Sequence, residues 1–176
     1  TYSKSTTPIT LTVLPPTLNS ETDTALSLNG TNQYADVADS TGSAFDITGT
    51  LTLEAWVYPT NSCPTAGAVI SKRSYMLYCQ EGVWKVMFLT NGVSGSGVTT
   101  TIPVRANQWQ HIVVTKSSSS GNALFYFNGV LAATVATGVT SMTPNNDAFE
   151  IGRYSVLSTF YFQGQIDEVK LWNSVR

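Results

Sequence analysis

The chain has 176 residues, 42% of them hydrophobic and only 11% charged, with a net charge of −2. That length suits one domain able to bury roughly 70% of its unfolded surface, so a core needs neither metal nor disulfide. The nine basic residues form no cluster, which argues against nucleic acid or an anionic membrane as partner, and no run of eighteen apolar residues spans a bilayer. Thr, Ser, Asn and Gly take the surface positions that Lys and Glu usually hold, as suits an extracellular β-protein. A start at Thr1, with no initiator Met or signal peptide, predicts a processed or excised piece of a larger protein.

In chain order, Ile9, Leu11 and Val13 first alternate with Thr10 and Thr12, and Pro15-Pro16 ends that strand. Residues 1–20 read as a linker arm or the terminal strand of a preceding module, and 21–176 as the domain proper. Ala25 to Asn29 is the next strand. Thr50 to Tyr58 sets Leu51, Leu53, Ala55 and Val57 against Thr52, Glu54, Trp56 and Tyr58. Cys63 and Cys79 follow, and the secreted-type surface favours a disulfide over two buried thiols. Such a bridge pins the 61–67 loop to the strand 75–79 and contributes about 3 kcal/mol in the chain-entropy model. Val83 to Leu89 and Gln108 to Thr115 are further strands. Ser117 to Gly121 reads as a polar hairpin loop, and Asn122 to Phe127 runs into Asn128-Gly129, a type I′ turn signal. About a dozen short strands joined by Gly turns predict an all-β, two-sheet antiparallel sandwich or jelly roll.

Six motifs then occur in order. They are Ala25-Leu26-Ser27-Leu28-Asn29-Gly30 with Tyr34 and Val37, Thr52 to Pro59, Ile70-Ser71-Lys72, Gln108 to Thr115, Phe125 to Gly129, and Ile151-Gly152 with the ending Phe162 to Trp172. Together they resemble the laminin G-like, concanavalin A-like jelly-roll domains of secreted bacterial proteins. The resemblance implies a non-catalytic module of a larger secreted or cell-surface protein, binding a glycan or another protein and often holding one structural calcium.

The residues support part of that on their own. Glucanase chemistry on this fold needs carboxylates at alternating strand positions, whereas Asp167 and Glu168 are adjacent and Glu54, Glu81 and Glu150 isolated. The single His111 lies in an alternating strand with no marked Ser, and reads as a core or structural histidine. No enzyme is expected. For calcium, hard-cation chemistry points to Asn29, Gly30, Asp39 and Asp167, with Asp36 as an alternative, if the first and last strands lie side by side. The competing reading is that Asp167 caps a turn without metal. For glycan binding, the expected patch is Tyr75, Trp84, Tyr154 and Tyr161 with Lys72, Arg73 and Arg153 as donors, while Trp56, Trp109 and Trp172 are taken as core. A protein partner with no glycan specificity is the alternative. Asn29-Gly30-Thr31 is a glycosylation sequon that reads equally as an Asn-Gly turn.

Overall fold

The computed structural model describes residues 9–10, 24–90, 94–157 and 160–176. Among the described residues thirteen strands are connected in the order β1 (Ile9–Thr10), β2 (Leu26–Asn29), β3 (Ala35–Val37), β4 (Leu51–Pro59), β5 (Gly67–Lys72), β6 (Tyr75–Gln80), β7 (Val83–Thr90), β8 (Ser94–Pro103), β9 (Gln110–Lys116), β10 (Asn122–Phe127), β11 (Val130–Ala136), β12 (Phe149–Ile151) and β13 (Gln163–Trp172). One 3₁₀ turn, Ser155–Leu157, lies between β12 and β13. The expected all-β antiparallel sandwich is the fold observed.

One sheet runs β1-β13-β4-β9-β10-β11, with β2 also paired to β13, and the other runs β3-β12-β5-β6-β7-β8. Each strand's apolar set faces the opposing sheet: Leu51, Leu53, Ala55 and Val57 from β4 and Phe125 from β10 meet Leu77, Trp84, Val86 and Phe88. Alternation at period two produces this, because successive side chains leave a strand on opposite faces. The Asn128-Gly129 turn forms as expected, with φ of 50° and 79°. Cys63 and Cys79 are joined by a disulfide, with Cα atoms 5.8 Å apart. Ile9 and Thr10 pair with Leu171 and Lys170. Apart from that pair, the expectation for residues 1–20 lies outside the described residues.

The last strand carries the irregularity that matters. Asp167 is opposite Trp56 and Lys170 is opposite Glu54, so Glu168 and Val169 together oppose Ala55. This is a β-bulge, and Glu168 sits at φ 45°. The Asp167 carboxylate accepts the Glu168 backbone N–H at 2.7 Å, bracing the extra residue. The bulge resets which face each later side chain takes: Val169 and Leu171 point into the core, while Glu168, Lys170 and Trp172 point outward.

Candidate functional site

The outward side chains of the seven-stranded sheet form an aromatic and charged strip along β4 and β9. At one end Tyr58 and Trp109 lie with ring centroids 5.6 Å apart. Next, Trp56 and His111 face each other at 4.9 Å across the β4–β9 pair. Beyond them come Glu54 and Lys170, and at the far end the Arg176 guanidinium lies 4.3 Å from the Trp172 ring. At about 3.4 Å per residue, Tyr58 to Thr52 (the partner of Trp172) is about 20 Å. An open cavity of about 230 Å³ sits beside the strip, lined by Glu54, Val113, Tyr126, Gly129 and Arg176.

Gly164 shapes the strip's upper end. Its φ is 145°, and a Cβ there would stand 2.2 Å from the Tyr58 carbonyl oxygen. Only glycine lets β13 close onto β4 at the residue that carries Tyr58 outward.

The charges in the middle of the strip are mutually satisfied. Lys170 donates to Glu168 at 2.8 Å and lies 3.6 Å from Glu54, while His111 Nε2 lies 3.1 Å from Glu54 Oε1. The hydrogen bond from His111 holds the Glu54 carboxyl below the usual range; burial works in the opposite direction and the charge of Lys170 adds to the lowering. Burial opposes the Lys170 charge, but the hydrogen bond to Glu168 and the field of Glu54 outweigh it and raise its pKa. Glu54 is thus held ionised beside the Lys170 ammonium. A general acid for retaining sugar hydrolysis needs its carboxyl pKa raised, and the environment of Glu54 acts in the opposite direction.

Several expected site residues occupy other places. Trp84, Tyr75 and Tyr154 are core residues with at most 1% exposure. Trp84 donates its indole N–H to Gln110 at 3.2 Å, and the Tyr75 hydroxyl donates to the Phe45 carbonyl at 3.0 Å. Neither offers a ring face to a ligand. Tyr154 lies under Phe160 against Met76 and Tyr78. Lys72 is 1% exposed and its ammonium is enclosed by oxygens. The converse correction concerns Trp56, Trp109 and Trp172, which are half-buried on the outer face. Tryptophan's size suggested the core. The alternation in β4 had already put Trp56 in register with Glu54 and Tyr58, and that was the stronger signal.

What survives of the expected patch is small. Arg153 lies 3.3 Å from the centroid of Tyr34, which is itself 6.4 Å from the ring of Tyr161. Arg153 also donates to Glu150 at 2.8 Å, which engages its guanidinium inside the protein. Arg73 lies 3.4 Å from Asp147.

The four residues expected to hold calcium do not converge. Asn29 is opposite Gln163, four residues from Asp167 along β13. Its side-chain oxygen accepts the N–H groups of Thr31 at 2.9 Å and Asn32 at 3.1 Å, an Asx turn completed by Gly30 at φ 74°. Asp167 is buried at the bulge, Asp36 lies opposite Glu150, and Asp39 pairs with Lys72. Among the described residues no three His, Cys, Asp or Glu side chains cluster as a metal-binding group.

Two stacked antiparallel sheets joined in this order make a jelly-roll sandwich. The chain belongs to the concanavalin A-like lectin/glucanases superfamily, whose laminin G 3 model matches residues 29–176. No curated protein sequence matches it. Among solved structures it is similar to a candidate carbohydrate binding protein from Bacteroides ovatus, with TM-score 0.66 and 21% identity over 86% of this chain and 45% of that one. It is also similar to domain 4 of AbnA, an extracellular arabinanase from Geobacillus stearothermophilus solved with arabinotriose, with TM-score 0.63 and 18% identity over 84% of this chain and 69% of that one. The binding domain of botulinum neurotoxin serotype G gives TM-score 0.68 and 13% identity over 99% of this chain and 45% of that one. The chain thus spans less than half the length of two of these three, and the likeness establishes the shared fold.

Proposed function

We propose that this domain is a non-catalytic carbohydrate-binding module of a larger secreted or cell-surface protein, taking sugar on the outer face of its seven-stranded sheet. The observation that carries the reading is the strip from Tyr58 and Trp109 through Trp56 to Trp172, beside an open cavity with charged groups at its rim. Sugar rings dock on aromatic faces through their C–H surfaces, and a few fixed polar groups orient them. Binding of arabinotriose by the arabinanase domain and the disulfide of this chain support the carbohydrate and extracellular parts of the reading. The pairing of Glu54 and Glu168 with Lys170 supports recognition without bond cleavage.

A second reading, adhesion or protein contact without glycan specificity, is favoured by Val130 and Leu131, which are 69% and 50% exposed on the outermost strand β11.

A glycan array probed with wild type and Trp56→Ala, each in calcium and in chelator, separates the two. The carbohydrate reading expects at least one bound glycan, weakened about tenfold or more in Trp56→Ala, as loss of roughly 1.4 kcal/mol of stacking produces. Binding of no glycan in either condition overturns it and advances the protein partner.

A further inference from the structure

Lys72, the last residue of β5, ends in an oxygen cage. Its ammonium is ion-paired with Asp39, lies 3.3 Å from Asp46 Oδ1, and donates to the backbone carbonyls of Asn145 at 2.8 Å and Asp147 at 3.2 Å. The side chains of Lys72 and Asp39 are both 0% exposed, and Asp46 is 7% exposed. Asp39 Oδ1 is enclosed with no donor at hydrogen-bonding geometry. Two carboxylates and two carbonyls, drawn from two separate loops, make up the donor set of a hard divalent cation. Here the cation filling it is covalently attached.

The charges sharpen the point. Two carboxylates around one ammonium leave the cage one negative charge in excess, and a divalent ion in the lysine's place would balance it. Without any cation the buried carboxylates would repel each other and lose their main solvating partner.

The ammonium also joins the two loops. Asp39 and Asp46 belong to the segment between β3 and β4, and Asn145 and Asp147 to the segment before β12. Supporting bonds spread from the same point: Asp46 accepts the N–H groups of Gly42 at 2.9 Å and Asn145 at 3.3 Å, and Thr41 donates to Asn146 at 3.1 Å. The ammonium thus ties the two loops together at one buried point.

We propose that Lys72 is a built-in replacement for a loop-ordering metal ion, and that its cage is a latent divalent-cation site which opens when the lysine is removed. The structural calcium that the family resemblance implies is then dispensable for these loops. Asn29, Gly30 and Asp167 lie elsewhere, and Asp39, the one expected ligand inside an oxygen cage, is engaged by the ammonium.

Thermal unfolding of the domain in millimolar calcium chloride or in EDTA tests this, using wild type, Lys72→Ala and Lys72→Ala/Asp39→Asn. Lys72→Ala is expected to melt lower than wild type in EDTA and to regain about 5 °C or more in calcium, with the response lost in the double variant. Equal midpoints for Lys72→Ala in the two solutions overturn the proposal. Should Lys72→Ala not fold in EDTA, refolding in calcium is the readout, with Lys72→Ser as a second variant whose hydroxyl adds an oxygen ligand. Failure of both variants to fold in calcium overturns the proposal. So does a calcium-dependent wild-type midpoint that Asp39→Asn abolishes, because calcium would then enter the cage despite the lysine.

Discussion

The outer faces of the two sheets carry aromatic residues at comparable positions, yet one face is open and the other covered. On the seven-stranded sheet Trp56, Tyr58, His111 and Trp172 stand half-buried, and the C-terminal residues cross only the Trp172 end, where Arg176 lies over that ring and its N–H bonds Thr52. On the six-stranded sheet the stretch after β12 folds back: Tyr154 and Phe160 pack on Met76, Tyr78 and Met87, and the Phe160 carbonyl accepts the Ala68 N–H at 3.1 Å. The Tyr78 and Phe160 rings stack at 6.3 Å. An outward aromatic in a strand is therefore a platform or a second small core according to what crosses over it. Its own strand cannot specify which.

Substitutions that break this contrast differ in size and in what they change. The largest stability effect is expected from Tyr154→Ala, which removes a side chain 1% exposed from beneath the covering segment. A loss of about 2–4 kcal/mol in urea unfolding is expected, with glycan binding by the folded protein unchanged. A loss below about 1 kcal/mol would mean that the covering segment is not held by this ring. Trp172→Ala, on the open face, is expected to stay within about 1 kcal/mol of wild type in the same assay, since its ring is half-buried and stacks on Arg176 outside the core. If it unfolds as readily as Tyr154→Ala, the open face is a structural surface and the comparison fails.

The smallest effect is a pH dependence. The Glu54 carboxyl is depressed in the folded state, so its contribution is present above the ordinary glutamate pKa, about 4.3, and is lost as pH falls through the folded value. The group is partly exposed and screened, which limits the contribution to about 1 kcal/mol or less. Glu54→Gln should accordingly be slightly less stable than wild type at pH 7 and match it near pH 3. A difference that persists unchanged to pH 3 would detach it from this ionisation.

Much of the fold was legible because period-two alternation, Asn128-Gly129 and the ordered motifs are all local signals. The aromatic strip was half legible. The same alternation in β4 that places Leu53, Ala55 and Val57 inward places Glu54, Trp56 and Tyr58 outward, whereas tryptophan's bulk points to the core. Trp172 was harder, because the adjacent acids Asp167 and Glu168 conceal a bulge that flips every later side chain of β13. Lys72 reads from its neighbours as a ligand donor, yet it is buried. Its partners Asp39 and Asn145 are 33 and 73 positions away, beyond the reach of any local pattern.

Strand count, face assignment within each strand, turn sites and the superfamily follow from residue order, since backbone sterics and burial act over neighbours two to four positions apart. Which aromatic face stays open, and which acids enclose the buried ammonium, follow from the three-dimensional arrangement. Those outcomes depend on segments far apart in the chain being packed together, and burial energy rewards that packing only once both sheets are assembled.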